Sequence, residues 1–153
     1  SKRVLIIDLD VHQGNGTAEI FENEQGVFTF SMHGDKNFPF RKEKSDLDIP
    51  LADGTNDEDF LNILNEKLPA IIKKHDPDFV FYLSGVDVLE SDKLGKLSLS
   101  KSACKQRDQI VFETCIKLGL PVQVSMGGGY SEDIKIIVDA HCNTFRTAFD
   151  LFN

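Results

Sequence analysis

Four apolar runs alternate with helical patterns along this chain, and the alternation limits the fold more than any other feature of the sequence. The runs, which begin at Val4, Val27, Phe79 and Val122, read VLIIDLDVH, VFTFSMH, FVFYLSGVD and VQVSMGGGY. Each is almost continuously apolar and then ends in glycine and polar residues, which is typical of strands buried on both faces of a parallel sheet. The sequence therefore predicts the α/β class, with a parallel sheet flanked by helices.

Helical periodicity occupies most of the remaining chain. A capping box, Thr55 with Glu58, indicates where one long helix begins, and Pro69 is expected to kink or interrupt it. A long charged loop is expected over residues 33–54, and loops of that length are usually functional or mobile. We predict three long helices, over residues 55–75, 100–119 and 131–152. A short helix is predicted over residues 17–23, soon after the first strand.

Length and charge limit the class of protein. A chain of 153 residues is long enough to bury one core, so we predict a single domain over residues 1–153. The formal net charge of −8 argues against direct nucleic-acid binding and suits cationic substrates. No apolar run could cross a bilayer, no signal-peptide pattern precedes the first strand, and three cysteines form no close-spaced metal motif. We therefore expect a cytoplasmic protein without a membrane partner, and its oligomeric state stays open.

Three polar side chains follow the first apolar run at alternate positions. They are Asp8, Asp10 and His12, and alternate residues of a strand share a face, so the three should converge. Two carboxylates placed side by side are costly to bury unless a positive charge lies between them, which points to a metal ion. Ligands of open α/β sheets bind beyond the carboxyl ends of the strands. Three residues that follow other strands are expected at the same place: Ser31, Asp87 and Tyr130.

Asp10, His12 and Asp87 have the donor atoms of a catalytic zinc site, which takes imidazole nitrogen and carboxylate oxygen and leaves one position open. Any one of them alone is better explained as a turn cap or a hydrogen-bonded core histidine. All three at the same end of neighbouring strands favour the metal. Asp8 is not needed by one metal ion. It is explained either by a second, oxygen-bound cation or by a hydrogen bond to His12.

Two weaker signals lie near the strand ends. The GGGY stretch places the Tyr130 phenol on a loop without bulky side chains, where it could donate a hydrogen bond to a developing oxyanion. Three consecutive glycines are also compatible with a simple tight turn. Phe38, in NFPF, could form the wall of a tunnel, although a lone aromatic residue in a loop more often packs locally.

Taken together, these motifs resemble the zinc-dependent histone deacetylases of the arginase/deacetylase superfamily. DLDVHQGNGT is similar to the metal-binding strand of that family, SGVD to the loop that carries the third ligand, and MGGGY to the catalytic-tyrosine loop. Gln13, where many members have a second histidine, and the stretch VFTFSMHGDKNFPFRKEKSDLDIPLADGT resemble the class IV branch and its bacterial relatives. The resemblance spans essentially the whole chain in the same order.

The resemblance implies hydrolysis of acyl groups from lysine or an acetylated amine by zinc-activated water. Asp10, His12 and Asp87 would be the zinc ligands, and Tyr130 would be the catalytic residue that stabilises the oxyanion. A structural potassium ion is also implied, with the following ligands: Asp8, Ser31 and the backbone carbonyls of Asp10, His12 and Met32. The implied substrate-binding residues lie at the acyl-lysine tunnel and in the tyrosine loop: Phe38, Leu94, Gly128 and Gly129.

The histidines depart from the family pattern. The family's general base belongs to a tandem histidine pair upstream of the metal strand, whereas this chain has only His12, His33, His75 and His141. The resemblance therefore implies the C-terminal half of a deacetylase-like catalytic domain, which we do not expect to be an efficient enzyme alone.

Two alternatives stay open at the level of sequence. VLIIDLDVH also resembles the nucleophile strand of haloacid-dehalogenase-like phosphatases, with Asp8 as phosphoryl acceptor and Asp10 as acid and base, but His12 and GGGY then have no role. The other alternative is a non-catalytic fragment that binds acyl-lysine or a partner protein without turnover.

Overall fold

The computed structural model describes residues 2–153 and contains five strands and four helices in that range. In chain order, the elements of these residues are as follows: β1 (Val4–Asp8), α1 (Asn15–Phe21), β2 (Val27–Gly34), β3 (Leu47–Leu51), α2 (Asp57–His75), β4 (Phe79–Gly85), α3 (Lys101–Leu118), β5 (Val122–Gly127) and α4 (Ile134–Phe152).

The strands form one parallel sheet in the order β3-β2-β1-β4-β5, with β1 at its centre. β1 pairs with β2 as far as Asp8↔Ser31 and with β4 as far as Asp8↔Leu83. Because all five strands run in the same direction, their carboxyl ends lie at one edge of the sheet, where the polar residues follow. The predicted α/β class, with a parallel sheet and flanking helices, is confirmed.

One strand, β3, lies where the sequence predicts only a loop over residues 33–54. It pairs with β2 alone among the described residues and forms one edge of the sheet. Pro50 lies within it and cannot donate a ladder hydrogen bond, which an edge strand tolerates because one of its sides has no partner. A five-residue strand that contains proline has too little periodicity to be distinguished from a loop.

Helix α2 begins one residue later than the predicted capping box allows, so the Thr55–Glu58 prediction is wrong. The N-cap is Asn56, whose side chain accepts a hydrogen bond from the backbone N–H of Asp59, with 3.0 Å between N and Oδ1. The Thr55 hydroxyl instead donates to the carbonyl of Ala52, 2.7 Å away, in the preceding turn. The helix also runs through Pro69 without interruption, since its apolar face is buried on either side of that residue.

The ends of α3 match the prediction. Ser100 is the N-cap and accepts a hydrogen bond from Ala103 N–H, while Gly119 ends the helix at a positive φ of 64°. The core lies between the central strands and the long helices and contains large side chains that are fully buried: Leu5, Ile7, Phe30, Phe60, Leu64, Tyr82 and Phe112. Among the described helices, none has the length and apolar character needed to cross a membrane.

The observed cap of α2 leads to a stability prediction. Asn56→Ala should lower the free energy of unfolding by about 1 kcal/mol, because the Asp59 N–H loses its acceptor. Asn56→Asp keeps that acceptor and serves as the matched control, with stability close to the wild type. Urea unfolding followed by circular dichroism measures both variants. A larger loss in Thr55→Ala than in Asn56→Ala would contradict this cap.

Candidate functional site

Three predicted residues meet at the carboxyl end of the central strands. Asp10, His12 and Asp87 can each direct one ligand atom so that all three atoms lie within 4.8 Å of one another. His12 Nδ1 is 3.0 Å from Asp10 Oδ1 and 3.2 Å from Asp87 Oδ2. Asp87 is fully buried, whereas His12 and Asp10 are partly accessible, so the cluster opens to solvent on one side.

The backbone reaches this arrangement through turns and not through strand alternation. β1 ends at Asp8, whose Oδ1 accepts a hydrogen bond from Asp10 N–H, with 3.1 Å between the two atoms. Asp10 Oδ1 in turn accepts from His12 N–H at 2.9 Å. These are two successive turns closed by aspartate side chains. The prediction that all three side chains share one strand face is therefore wrong: Asp8 lies outside the cluster that Asp10 and His12 form with Asp87.

The electrostatics of the cluster favour a cation between the two carboxylates. The hydrogen bond with Asp10, together with the contact with Asp87, raises the pKa of His12 to about 10. Burial raises the pKa of Asp87. Burial would also raise that of Asp10, but hydrogen bonds from His12 outweigh it and lower the pKa of Asp10. Each carboxylate is costly to keep ionised here without a positive partner.

The donor set fits a divalent metal such as zinc. It offers two carboxylate oxygens and one imidazole nitrogen, which are the protein ligands of many catalytic zinc sites. Asp87 Oδ1 accepts a hydrogen bond from Val11 N–H at 2.9 Å, which fixes the carboxylate. Asp87 Oδ2 is buried and accepts no hydrogen bond, so one oxygen with an available lone pair faces the cluster.

Two glycines make room for the carboxylates. A Cβ atom on Gly128, which has a φ of 50°, would overlap the carboxylate of Asp87. A Cβ atom on Gly85 would overlap both the carboxylate and the backbone of Asp10. The loops that follow β4 and β5 can therefore approach the cluster only because they lack side chains at these positions.

Asp8 occupies a separate, deeper position. It is 5% exposed, and burial raises its pKa to about 7. The nearby carboxylates of Asp10 and Asp87 also act to raise it. Its register partner is Ser31, whose hydroxyl lies 2.9 Å from His33 Nδ1. Within residues 2–153, Asp8 makes no hydrogen bond to His12, so that explanation of Asp8 is not supported. The other explanation of Asp8, an oxygen-bound cation, stays a prediction.

The loop that carries Tyr130 is fixed by Asp92, which the sequence analysis does not identify. Asp92 Oδ2 accepts a hydrogen bond from Tyr130 N–H at 2.6 Å. Its Oδ1 accepts from the N–H groups of Leu94 and Gly95, at 2.9 and 2.8 Å. One carboxylate thus joins the tyrosine loop to the irregular segment after β4. The Tyr130 side chain is 49% exposed and is free to meet a ligand.

The loop between β2 and β3 lies against the same segment. Asn37 donates to the carbonyl of Leu94 at 2.8 Å, which brings the loop that carries Phe38 beside Leu94. Lys42 Nζ donates to three backbone carbonyls of its own loop and holds it in shape. Phe38 is 64% exposed and meets Phe40 edge to face, with 6.1 Å between ring centroids. The two exposed aromatic rings therefore lie together on the β2–β3 loop. We call this loop, the segment after β4 and the tyrosine loop the rim loops.

The remaining histidines lie outside the cluster. His33 is buried on β2, and His75 contacts the carbonyl of Val4 at the opposite end of β1. His141, on α4, lies close to the tyrosine loop: its Nε2 is 3.2 Å from the carbonyl of Gly128. Because this contact is with the backbone of Gly128, His141 supports the tyrosine loop.

Several residues that order the site are missed by sequence analysis. Asp92, Asn37 and Lys42 act through backbone contacts made across loops, which leave no local pattern. One signal was available in α3, where Arg107 and Asp108 occupy the buried stripe of the helix. A charged pair at such positions indicates a buried polar network.

Comparison with known proteins identifies related chains. A family model described as "Histone deacetylase domain" matches residues 1–145. An uncharacterized protein of Picosynechococcus sp. is 44% identical over 152 residues, which cover 99% of this chain and 51% of that protein. Histone deacetylase 2 of Arabidopsis thaliana is 31% identical over 148 residues, which cover 94% of this chain and 38% of that protein. The chain therefore spans about half the length, or less, of these relatives.

Solved structures show the same fold. A histone deacetylase homolog from Aquifex aeolicus superimposes with a TM-score of 0.80 at 28% identity, over 96% of this chain and 42% of that one. An acetylpolyamine aminohydrolase from Burkholderia pseudomallei gives a TM-score of 0.77 at 22% identity, over 99% of this chain and 45% of that one. At 22% identity the second likeness concerns the fold alone.

The glycine beside Asp87 provides a test of the cluster. Gly128→Ala should weaken zinc binding by about 10–100-fold, the range seen when groups next to metal ligands are changed, because the new methyl group displaces the carboxylate. Competition with a chromophoric chelator measures the affinity. Gly54→Ala is the matched control, since Gly54 also has a positive φ, 77°, but a Cβ there meets no neighbour. Equal affinity in both variants would show that Gly128 gives no space to Asp87.

Proposed function

The chain belongs to the histone deacetylase family, and on that premise we propose that it contributes the metal-binding part of an amide hydrolase. The reaction would remove an acetyl or other acyl group from lysine or a related amine. One observation carries this proposal: two carboxylates and one imidazole from separate segments have ligand atoms within 4.8 Å of one another beyond the central strands. Such a set, open on one side, suits a catalytic metal better than a purely structural one.

We assign Asp10, His12 and Asp87 as the ligands of a catalytic zinc ion. When bound there, zinc supplies Lewis-acid activation of water and of the substrate carbonyl. His12 must be neutral to bind through its ring nitrogen, so the proton that Asp10 and Asp87 favour on it is lost when a metal takes its place. Asp87 is already oriented, because Val11 N–H holds its other oxygen.

The substrate would be held by the rim loops and by Tyr130. We propose that Phe38 and Leu94 line the path of the acylated side chain, and Gly128 and Gly129 leave room beside it. The Tyr130 phenol would donate a hydrogen bond to the carbonyl oxygen as it becomes an oxyanion. Support for this role comes from the exposed phenol and from the backbone contact with Asp92, which limits movement of the loop.

We propose a structural potassium ion at Asp8. Its ligands would be Asp8, the Ser31 hydroxyl and backbone carbonyls of three neighbours: Asp10, His12 and Met32. The supporting observation is a carboxylate that is 5% exposed and whose pKa is raised to about 7 by burial. A monovalent cation bound through oxygen atoms would keep this group ionised.

The general base is proposed to come from outside residues 1–153. Among the described residues, only His12 belongs to the cluster, and it is assigned to the metal. Exposed apolar side chains on β5 and on α4 support contact with a further polypeptide segment: Met126 of β5 is 62% exposed and Phe149 of α4 is 69% exposed. β5 also has a partner strand on one side only among the described residues. The acyl group and its carrier, protein or polyamine, stay open.

The phosphatase alternative finds no support. Its nucleophile would be Asp8, which is 5% exposed and has one oxygen engaged by Asp10 N–H, so a phosphate ester could not reach it. The family match points to a different reaction. A non-catalytic fragment that binds acyl-lysine is also compatible with the cluster. The assays described below distinguish binding without turnover from hydrolysis.

The metal assignment is tested by elemental analysis. After dialysis against a weak chelator, the chain should retain about one zinc ion, and Asp87→Asn should lose most of it because a carboxylate ligand is replaced by a weaker amide. Asp139→Asn, on the exposed side of α4, is the control and should retain zinc. Unchanged zinc content in Asp87→Asn would rule out this ligand set.

Catalysis is tested with the chain joined to the part of the Picosynechococcus relative that lies outside the matching region. The joined protein should hydrolyse an acetyl-lysine peptide, and Tyr130→Phe should reduce kcat by about 10²–10³-fold, the usual loss for one oxyanion donor, with zinc retained. Residues 1–153 alone should be slower by about 10²–10⁴-fold, the contribution of general acid–base catalysis. Near-normal turnover in Tyr130→Phe would contradict the role of the phenol. Peptide binding without hydrolysis in the joined protein would favour the non-catalytic alternative.

A further inference from the structure

Helix α3 buries a charged pair directly beneath the candidate site. Arg107 and Asp108 are both 0% exposed, and Arg107 is the largest fully buried side chain among the described residues. Its Nε donates to Asp108 Oδ1 at 2.9 Å. Asp108 also accepts hydrogen bonds from the hydroxyls of Tyr82 and Thr144, at 2.5 and 2.6 Å. The carboxylate is thus fixed from three elements, and the guanidinium is fixed with it.

The free end of the guanidinium spans two strand ends. Arg107 Nη1 donates to the carbonyl of Leu9 at 3.1 Å and to the carbonyl of Gly85 at 2.6 Å. Leu9 immediately precedes Asp10, and Gly85 lies two residues before Asp87. The paired register of β1 and β4 ends at Asp8↔Leu83. Beyond it, the chains that lead to the two carboxylates are joined by this side chain, by Leu9 N–H to the carbonyl of Leu83 and by Val11 N–H to Asp87 Oδ1.

We propose that Arg107 is a positioning residue that sets the separation of Asp10 and Asp87 and thereby the affinity of the site for a divalent metal. This inference rests on the metal centre proposed above. Arg107 touches neither ligand side chain and acts through the backbone on both sides. A planar guanidinium holds several donors in one rigid fork, so it can fix two carbonyls and a carboxylate at set positions, whereas an ammonium group is a flexible point charge at the end of a shorter side chain.

A role in stability alone accounts less well for this placement. A buried ion pair is often no more stabilising than apolar residues of the same volume, because desolvation offsets the attraction. Tyr82 and Thr144 also donate to Asp108, so this carboxylate has partners other than Arg107. The contacts that only this position provides are those with Leu9 and Gly85.

The experiment compares zinc affinity with thermal stability in matched variants. Arg107→Lys keeps the charge but loses the bridge, and should weaken zinc binding by about 10–100-fold. Tyr82→Phe removes one hydrogen bond to Asp108 and leaves both carbonyl contacts of Arg107 in place. It should lower the melting temperature while keeping the wild-type zinc affinity. Zinc affinity is measured by competition with a chromophoric chelator, and the melting temperature without added metal.

Each outcome decides the inference. Wild-type zinc affinity in Arg107→Lys, or an equal loss of affinity in Tyr82→Phe, overturns the positioning role and leaves the metal centre in place. Absence of zinc binding in the wild type overturns the metal centre itself. If Arg107→Lys does not fold, the double variant Arg107→Met/Asp108→Leu, which leaves no buried charge unpaired, replaces it. Wild-type affinity in that folded double variant overturns the proposal, and a 10–100-fold loss supports it.

Discussion

Asp10 and Asp87 bring two carboxylates to the same ring nitrogen of His12, and the surrounding structure compensates the electrostatic cost of that contact. Burial, together with the nearby charge of Asp10, disfavours ionisation of Asp87 and raises its pKa. His12 offsets the cost by lying 3.0 and 3.2 Å from the two groups. The divalent cation proposed above would offset it further.

The cluster depends on support from below. The parallel ladder of β1 and β4 ends before the two carboxylates, and further hydrogen bonds are needed to keep the strand ends together. Arg107 provides two of them and Val11 N–H, which bonds Asp87, a third, while Asp108 neutralises the charge of Arg107 in the interior. A polar network with most of its groups paired is what a low-dielectric interior tolerates.

The rim is held together differently, by side chains that bind backbone across loops. Asp92 joins the tyrosine loop to the segment after β4, and Asn37 joins that segment to the loop of Phe38. Irregular backbone needs such partners because no ladder satisfies its N–H and C=O groups. The substrate path proposed above is therefore formed by three loops whose positions depend on one another.

The sequence by itself determined the α/β class, four of the five strands, and the end of the sheet at which Asp10, His12 and Asp87 lie, because apolar periodicity and polar strand ends are local signals. It did not reveal β3, since a short edge strand with proline has almost no periodicity. It predicted that Asp8 shares one strand face with Asp10 and His12, whereas the chain leaves the strand at Asp8 and turns. Only the tertiary structure identified Arg107, Asp92 and the space beside Gly128, because hydrogen bonds and close approaches between distant segments are decided by packing in three dimensions.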